Sequence, residues 1–223
     1  MEFDAIILAG GRSSRLGGVP KSGLIYDGAT LLERSLRAAG AARRTVVVGP
    51  DPGGLPGGVL TCREEPPFAG PAAAIAAGLA ALAADHASRH APAAPYTLVL
   101  ACDMPRSEGA VRALAEALAA SAAGTPERDG ADGVMAVSAD GRKQPLAGFY
   151  GTAVLQRSVA DAASRDRLEN ASVFALLARL DVREVRVPPG STDDVDTWDD
   201  ASALGVSGRI PDGGPGSGPA LHS

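Results

Sequence analysis

The chain has 223 residues, with 21 Lys and Arg against 26 Asp and Glu, for a formal charge of −5. At roughly 150 residues per domain this is one domain of generous size, or one domain plus a tail. Its 45% hydrophobic content can build a core, its 4% aromatic content leaves the filling to Ala, Val and Leu, and its acidic balance makes nucleic acid an unexpected partner, because phosphate backbones are bound by clustered Lys and Arg.

No apolar stretch reaches the ~18–20 residues that cross a bilayer, so no membrane contact is expected. The opening residues MEFDAIILAGG carry Glu2 and Asp4 where a secretory signal carries Lys or Arg, which makes the cytoplasm the expected compartment. Cys62 and Cys102 form no CxxC pair and read as small buried thiols in strands, not as a disulfide framework or zinc ligands.

Short apolar runs alternate with Ala- and Leu-rich helical stretches, the pattern of an α/β domain with a mainly parallel sheet. Phe3 to Leu8 is a continuous apolar run ending in a Gly-rich loop, as for a central strand buried on both faces. Thr30 and Glu33 form a capping box ahead of a helix that Gly40 stops. Arg44 to Gly49 and Val59 to Arg63 read as strands, and Gly70-Pro71 opens a helix that runs to about Ala84. Tyr96 to Ala101 is a further buried strand, delivering Cys102-Asp103 at its carboxyl end, with a helix from about Glu108 to Ala120 after it. Gly133 to Ser138 and Pro145 to Tyr150 read as strands joined by a loop holding Arg142, Lys143 and Gln144. Helices over Thr152 to Ser164 and Ser172 to Leu180, a strand over Arg183 to Val187 and a helix from near Thr197 complete the domain at residue 206. The Gly-, Pro- and Ser-rich residues 207–223 read as a disordered tail, and 91–95 and 124–130 as rim loops.

The richest segment is Leu8 to Lys21, LAGGRSSRLGGVPK. Directly after a buried strand the backbone must turn at Gly10-Gly11. Glycines let several main-chain N–H groups point at one anion, and Arg12, Arg15 and Lys21 add positive charge around the same concavity. A polyphosphate with its Mg²⁺ is the natural occupant. Two other phosphate loops are excluded: Pro20 precedes Lys21 where GxxxxGK[ST] needs Gly, and Arg12 stands where GxGxxG needs its second Gly. Asp103, just past a buried strand, lies at the edge where open α/β sheets bind ligands and is suited to hold Mg²⁺; the alternative is a turn or helix-capping aspartate before Pro105. His86 and His90 are four apart without the HExxH pattern, and read as two surface histidines.

The opening motif, LLERSL in the first helix, VVVG ending at Gly49, CDMP around Asp103, QPLAGFY from Gln144 and DVDTWDD from Asp194 together resemble the MobA-like nucleotidyltransferases of the GT-A-like family. Within it the likeness is greatest to the molybdenum cofactor guanylyltransferases, and the double glycine favours that branch over the cytidylyl one. The resemblance extends to about Leu204 and implies a Rossmann-like three-layer α/β/α sandwich of the nucleotide-diphospho-sugar transferase type. It implies that Leu8, Ala9, Gly10 and Gly11 read the guanine and ribose of GTP, that Arg15 and Lys21 grip the triphosphate, and that Asp103 coordinates Mg²⁺. Gly49 falls at a base or ribose contact often filled by Asn, and Glu65 (or Glu64) at an acidic nucleotide contact. Asp196 reads as a second metal carboxylate or as a cap of the last helix, with Trp198 replacing a usual Pro as a packing residue. Lys143, Gln144 and Pro145 fall where relatives receive the molybdopterin half, although on residue type alone Lys143 is a solvated loop charge.

The implied reaction is transfer of GMP to the phosphate of molybdopterin or molybdenum cofactor, with pyrophosphate leaving. A monomer or weak oligomer touching other cofactor-biosynthesis proteins is expected. The alternatives are a sister enzyme using CTP or acting on a sugar phosphate or phospholactate, and a non-catalytic nucleotide-binding module.

Overall fold

The computed structural model describes residues 1–122 and 131–208. Six consecutive buried residues form β1 (Phe3–Leu8). Two 3-10 turns, Ser14–Leu16 and Lys21–Gly23, lead to a small hairpin of β2 (Ile25–Tyr26) and β3 (Ala29–Thr30). The Thr30 hydroxyl accepts from the Glu33 N–H and the Glu33 carboxylate accepts from the Thr30 N–H, which starts α1 (Leu31–Ala38) with the expected capping box. The chain continues through β4 (Thr45–Val48), β5 (Leu60–Cys62), α2 (Pro71–Ser88), β6 (Tyr96–Ala101), α3 (Ser107–Ala122), β7 (Gly133–Val137), β8 (Lys143–Gly151), α4 (Thr152–Ala163), α5 (Val173–Leu177), β9 (Val182–Arg186) and α6 (Trp198–Leu204).

Seven strands form one sheet in the order β5-β4-β1-β6-β8-β7-β9. All run parallel except β8, which is antiparallel to both neighbours. Alternate residues of β1 serve opposite faces. Phe3, Ala5 and Ile7 pack with Leu32 of α1 and Ala110, Val111 and Leu114 of α3. Ile6 and Leu8 pack with Ile75 and Leu79 of α2, Leu155 of α4 and Leu176 of α5. The result is the expected three-layer α/β/α sandwich. A third cluster of Leu16, Leu24, Leu31, Val195 and Ala201 ties the opening loop to the segment before α6.

β1 and β6 lie side by side with Leu8 opposite Ala101, so the segments leaving them emerge together at the carboxyl edge of the sheet. β8 runs the other way and therefore begins at that same edge. It starts earlier than the sequence suggests: Lys143 and Gln144 are strand residues, paired with Val137 and Ala136 beyond a register shift after Met135. At the far end of the domain, Ser207 is bridged to Ile25 by backbone hydrogen bonds instead of starting a tail. Residues 209–223 of the expected 207–223 tail and the expected rim loop over 124–130 lie outside the described residues.

His86 is not a surface histidine. It is 5% exposed, and its Nε2 lies 2.7 Å from Oδ2 of Asp4, itself 1% exposed in β1. Asp4 also accepts the Ala94 N–H at 3.2 Å. Cys102 is buried just past β6, whereas Cys62 is only half-buried in β5. The Asp4–His86 contact sits at the amino end of β1, at the opposite end of that strand from the glycine turn. Asp4→Ala leaves the buried imidazole and the Ala94 N–H unpaired, a loss of about 3 kcal/mol. The expected outcome is a lower urea midpoint at unchanged slope, with nucleotide affinity of the folded variant retained.

Candidate active site

The chain leaves β1 at Ala9, turns at Gly10-Gly11, and passes through the first 3-10 turn to Lys21, which opens the second. Gly11 has φ +133°, open to glycine but rarely adopted by other residues. Gly49 supports this turn from below: a Cβ there would lie 2.8 Å from the Ala9 carbonyl carbon and from the Gly10 nitrogen, so only glycine lets the two backbones approach. Lys21 comes back over the sheet edge, where its Nζ donates to Oδ2 of Asp103 at 3.0 Å and to Oδ1 of Asp196 at 2.5 Å. Arg15 Nη1 lies 3.5 Å from the other Asp196 oxygen. The segment before α6 is pinned here by the Val195 N–H, which donates to the Asp103 carbonyl at 3.0 Å.

Asp194 joins Asp103 and Asp196 in a group whose ligand oxygens all lie within 4.8 Å of one another. Asp194 and Asp196 flank buried Val195, so the alternation of an extended segment turns both carboxylates to one side. Burial, then the like charges of Asp103 and Asp196, raise the Asp194 carboxyl above its ordinary value. For Lys21, burial would lower the ammonium, but Asp103 and Asp196 outweigh it and raise the group. Three convergent carboxylates need positive charge, and an all-oxygen donor set suits a hard divalent cation such as Mg²⁺, which takes one or two carboxylates and leaves positions for substrate phosphates. Asp196 also lies one residue before the cap of α6, but that cap is Thr197, whose hydroxyl accepts from the Asp200 N–H. The capping alternative for Asp196 thus falls to its neighbour.

Beside this group is a cavity of about 310 Å³ whose lining includes Leu8, Gly10, Gly11, Lys21, Cys102 and Asp103. Arg12, Glu64, Phe68 and the amino terminus of α2 at Gly70-Pro71 line it as well. That helix end favours negative charge. Burial and the Asp103 charge raise the Cys102 thiol, and burial and Glu64 push the Cys62 thiol up to about 11, so neither is an activated nucleophile.

The structure thus brings together Leu8, Gly10, Gly11, Arg15, Lys21, Asp103 and Asp196. Between the two adjacent glutamates it selects Glu64, 5% exposed, whereas Glu65 is exposed and lines no part of this cavity. Ala9 lies behind the lining. Gly49 does too, with its N–H already donated to the Cys62 carbonyl at 2.9 Å, so it offers no direct contact. Of the acceptor candidates, Leu146 reaches the cavity wall, Gln144 and Pro145 precede it on β8, and Lys143 is held by Glu184 at 2.5 Å. Trp198 is 43% exposed and fills no core position. The sequence reading passed over Asp194 and Phe68. The D-V-D spacing was the available signal for the first; the second is a rare aromatic in a Pro-rich turn.

Because the charged Asp194 is penalised in the folded state, its contribution to stability is present below its ordinary carboxylate range and is lost as pH rises through the raised value. At neutral pH, Asp194→Asn is therefore expected to raise Tm in EDTA, with the difference from wild type closing as pH falls to about 4. The same variant loses part of the Tm increase that Mg²⁺ produces, because a neutral amide is a weaker ligand for a hard cation. Thermal melts with and without Mg²⁺ across this range check both signs.

The sequence profile of the MobA-like NTP transferase domain matches residues 5–183. A comparison with curated protein sequences gives no match. Among solved structures, molybdopterin-guanine dinucleotide biosynthesis protein A from Archaeoglobus fulgidus is 19% identical with a TM-score of 0.59, over 90% of this chain and 96% of that one. The 2-C-methyl-D-erythritol 4-phosphate cytidylyltransferase of Thermus thermophilus is 23% identical with a TM-score of 0.59, over 92% and 97%. Its Francisella tularensis counterpart is 13% identical with a TM-score of 0.67, over 92% and 99%. These likenesses establish a shared fold, and the profile match over most of the length shows that the chain belongs to the MobA-like NTP transferase family.

Proposed function

We propose that this nucleotidyltransferase moves GMP from GTP to the phosphate of molybdopterin or molybdenum cofactor. The observation that carries the reading is the meeting of Lys21 and Asp103, 82 residues apart in sequence, at 3.0 Å beside the glycine turn. One pocket then offers main-chain donors, a cationic flank and metal-binding carboxylates, the combination a metal-bound triphosphate requires. The glycine pair of the opening motif supports the guanylyl branch, and the start of β8 at the cavity edge supports acceptor entry there.

Asp103 and Asp196, with Asp194 beside them, would hold Mg²⁺, which when bound neutralises phosphate charge. Lys21 and Arg15 bind the triphosphate, and the Gly10-Gly11 turn orients its nucleoside end. An acceptor phosphate oxygen attacks the α-phosphorus in line, the bond from that phosphorus to its bridging oxygen breaks, and pyrophosphate departs. That oxygen is already anionic, so no general base is required. The barrier is the approach of two polyanions, and the contribution of Lys21 and Arg15 is fixed positive charge where negative charge accumulates.

The test is pyrophosphate release by the purified protein with Mg²⁺ and molybdopterin, comparing GTP, CTP, UTP and ATP. Preference for GTP is expected. Preference for CTP overturns the guanylyl reading in favour of a cytidylyl one, and nucleotide binding without turnover favours the non-catalytic module. Lys21→Ala and Asp103→Ala each should lower turnover about 10²–10³-fold while circular dichroism shows the fold retained.

A further inference from the structure

We infer that Phe68 is the stacking platform for the nucleobase, which rests on the triphosphate-binding reading above. Phe68 lines the same cavity as Lys21 and Asp103, and it is 39% exposed. Of the other phenylalanines, Phe3 and Phe149 are buried in the core against one another. A partly exposed ring in a cavity wall is within reach of a planar ligand that displaces the side chains resting on it.

The ring is also held in place. The Phe68 N–H donates to Oε1 of Glu64 at 2.9 Å, and Glu64 is itself buried. Phe68 has φ +67°, a left-handed conformation uncommon for a residue with a bulky side chain. Such a backbone persists where its surroundings over-determine it, a condition that clusters at ligand sites.

Two guanidinium groups already lie over the ring: Arg12 at 5.4 Å and Arg63 at 5.0 Å from its centroid. Arg12 follows the Gly10-Gly11 turn directly and lines the same cavity. Among the described residues neither arginine makes an ion pair, so the ring is the neighbour that positions them. A nucleobase is likewise planar and stacks on an aromatic face. With a base on the ring, a displaced guanidinium stays close enough to the glycine turn to meet phosphate. Oε2 of Glu64, buried and without a hydrogen-bond partner among the described residues, lies in the same wall as an acceptor for the amino or imino N–H groups of a base edge.

Stacking tolerates any base, because each has a π-face, whereas edge contacts discriminate. The experiment is calorimetric binding of Mg²⁺ complexes of GTP, CTP and inorganic tripolyphosphate to wild type, Phe68→Leu and Phe68→Trp. Leucine keeps apolar bulk and removes the π-face. The expected result is a loss of about 5- to 150-fold for the nucleotides in Phe68→Leu, no change for tripolyphosphate, and restoration in Phe68→Trp. Nucleotide affinity unchanged in Phe68→Leu, or tripolyphosphate weakened equally, overturns the platform while leaving the phosphate site standing. Wild-type protein that binds none of the three overturns both readings, and selective binding of CTP overturns only the choice of guanine.

Discussion

The site depends on one charge arrangement: the Lys21 ammonium shared between the carboxylates of Asp103 and Asp196. Three segments meet there, the loop after β1, the end of β6 and the stretch before α6. Three carboxylates with oxygens within 4.8 Å repel one another, and partial burial strengthens the repulsion by lowering the local dielectric. Lys21 and Arg15 supply the compensating positive charge from within the chain. The same cations then stand beside the place where a polyphosphate would lie, so one arrangement both offsets acid repulsion and prepares an anion site.

The scaffold produces this meeting by simple means. Parallel neighbours discharge their following loops at one edge, and hydrogen bonding of β1 to β6 sets Ala9 and Cys102 side by side. The reversed strand β8 brings its beginning to that edge, so Leu146 joins the wall without a long connection. The third cluster, where Leu16 and Leu24 pack with Val195 and Ala201, fastens the acidic return segment to the basic loop through apolar contact. Hydrophobic packing here fixes the distance between opposite charges, which surface ion pairs alone hold weakly.

What could be read from the sequence was local. The Leu8 to Lys21 loop and Asp103 stand out because a buried strand precedes each, and strand ends in α/β sheets are where ligands bind. The layer arrangement follows from continuous apolar strands alternating with helices. Less legible were features set by distant partners. His86 lies in α2, a helix so rich in alanine that no face declares itself as buried, and its partner Asp4 is 82 residues away. Glu64 and Glu65 are adjacent and chemically alike, and only the backbone after β5 decides which turns inward. Lys143 belongs to β8 because a shift in register beside Met135 extends the ladder, which polar residues at a strand end do not announce. Asp194 was less legible than Asp196, because only the folded return segment shows that both carboxylates meet Asp103.

A chain of net charge −5 can still present a site for a polyanion, because net charge governs solubility and long-range steering while binding follows the local field. Here the local field has two signs in ordered positions. Arg12, Arg15 and Lys21 come from the opening loop, and Asp103, Asp194 and Asp196 come from the end of β6 and the stretch before α6. Simple anions would meet the repulsion of the carboxylates, and simple cations the repulsion of the ammonium and guanidinium groups. The ligand favoured by both is one that brings negative phosphates and a divalent cation together, in a cavity whose lining also includes the aromatic ring of Phe68.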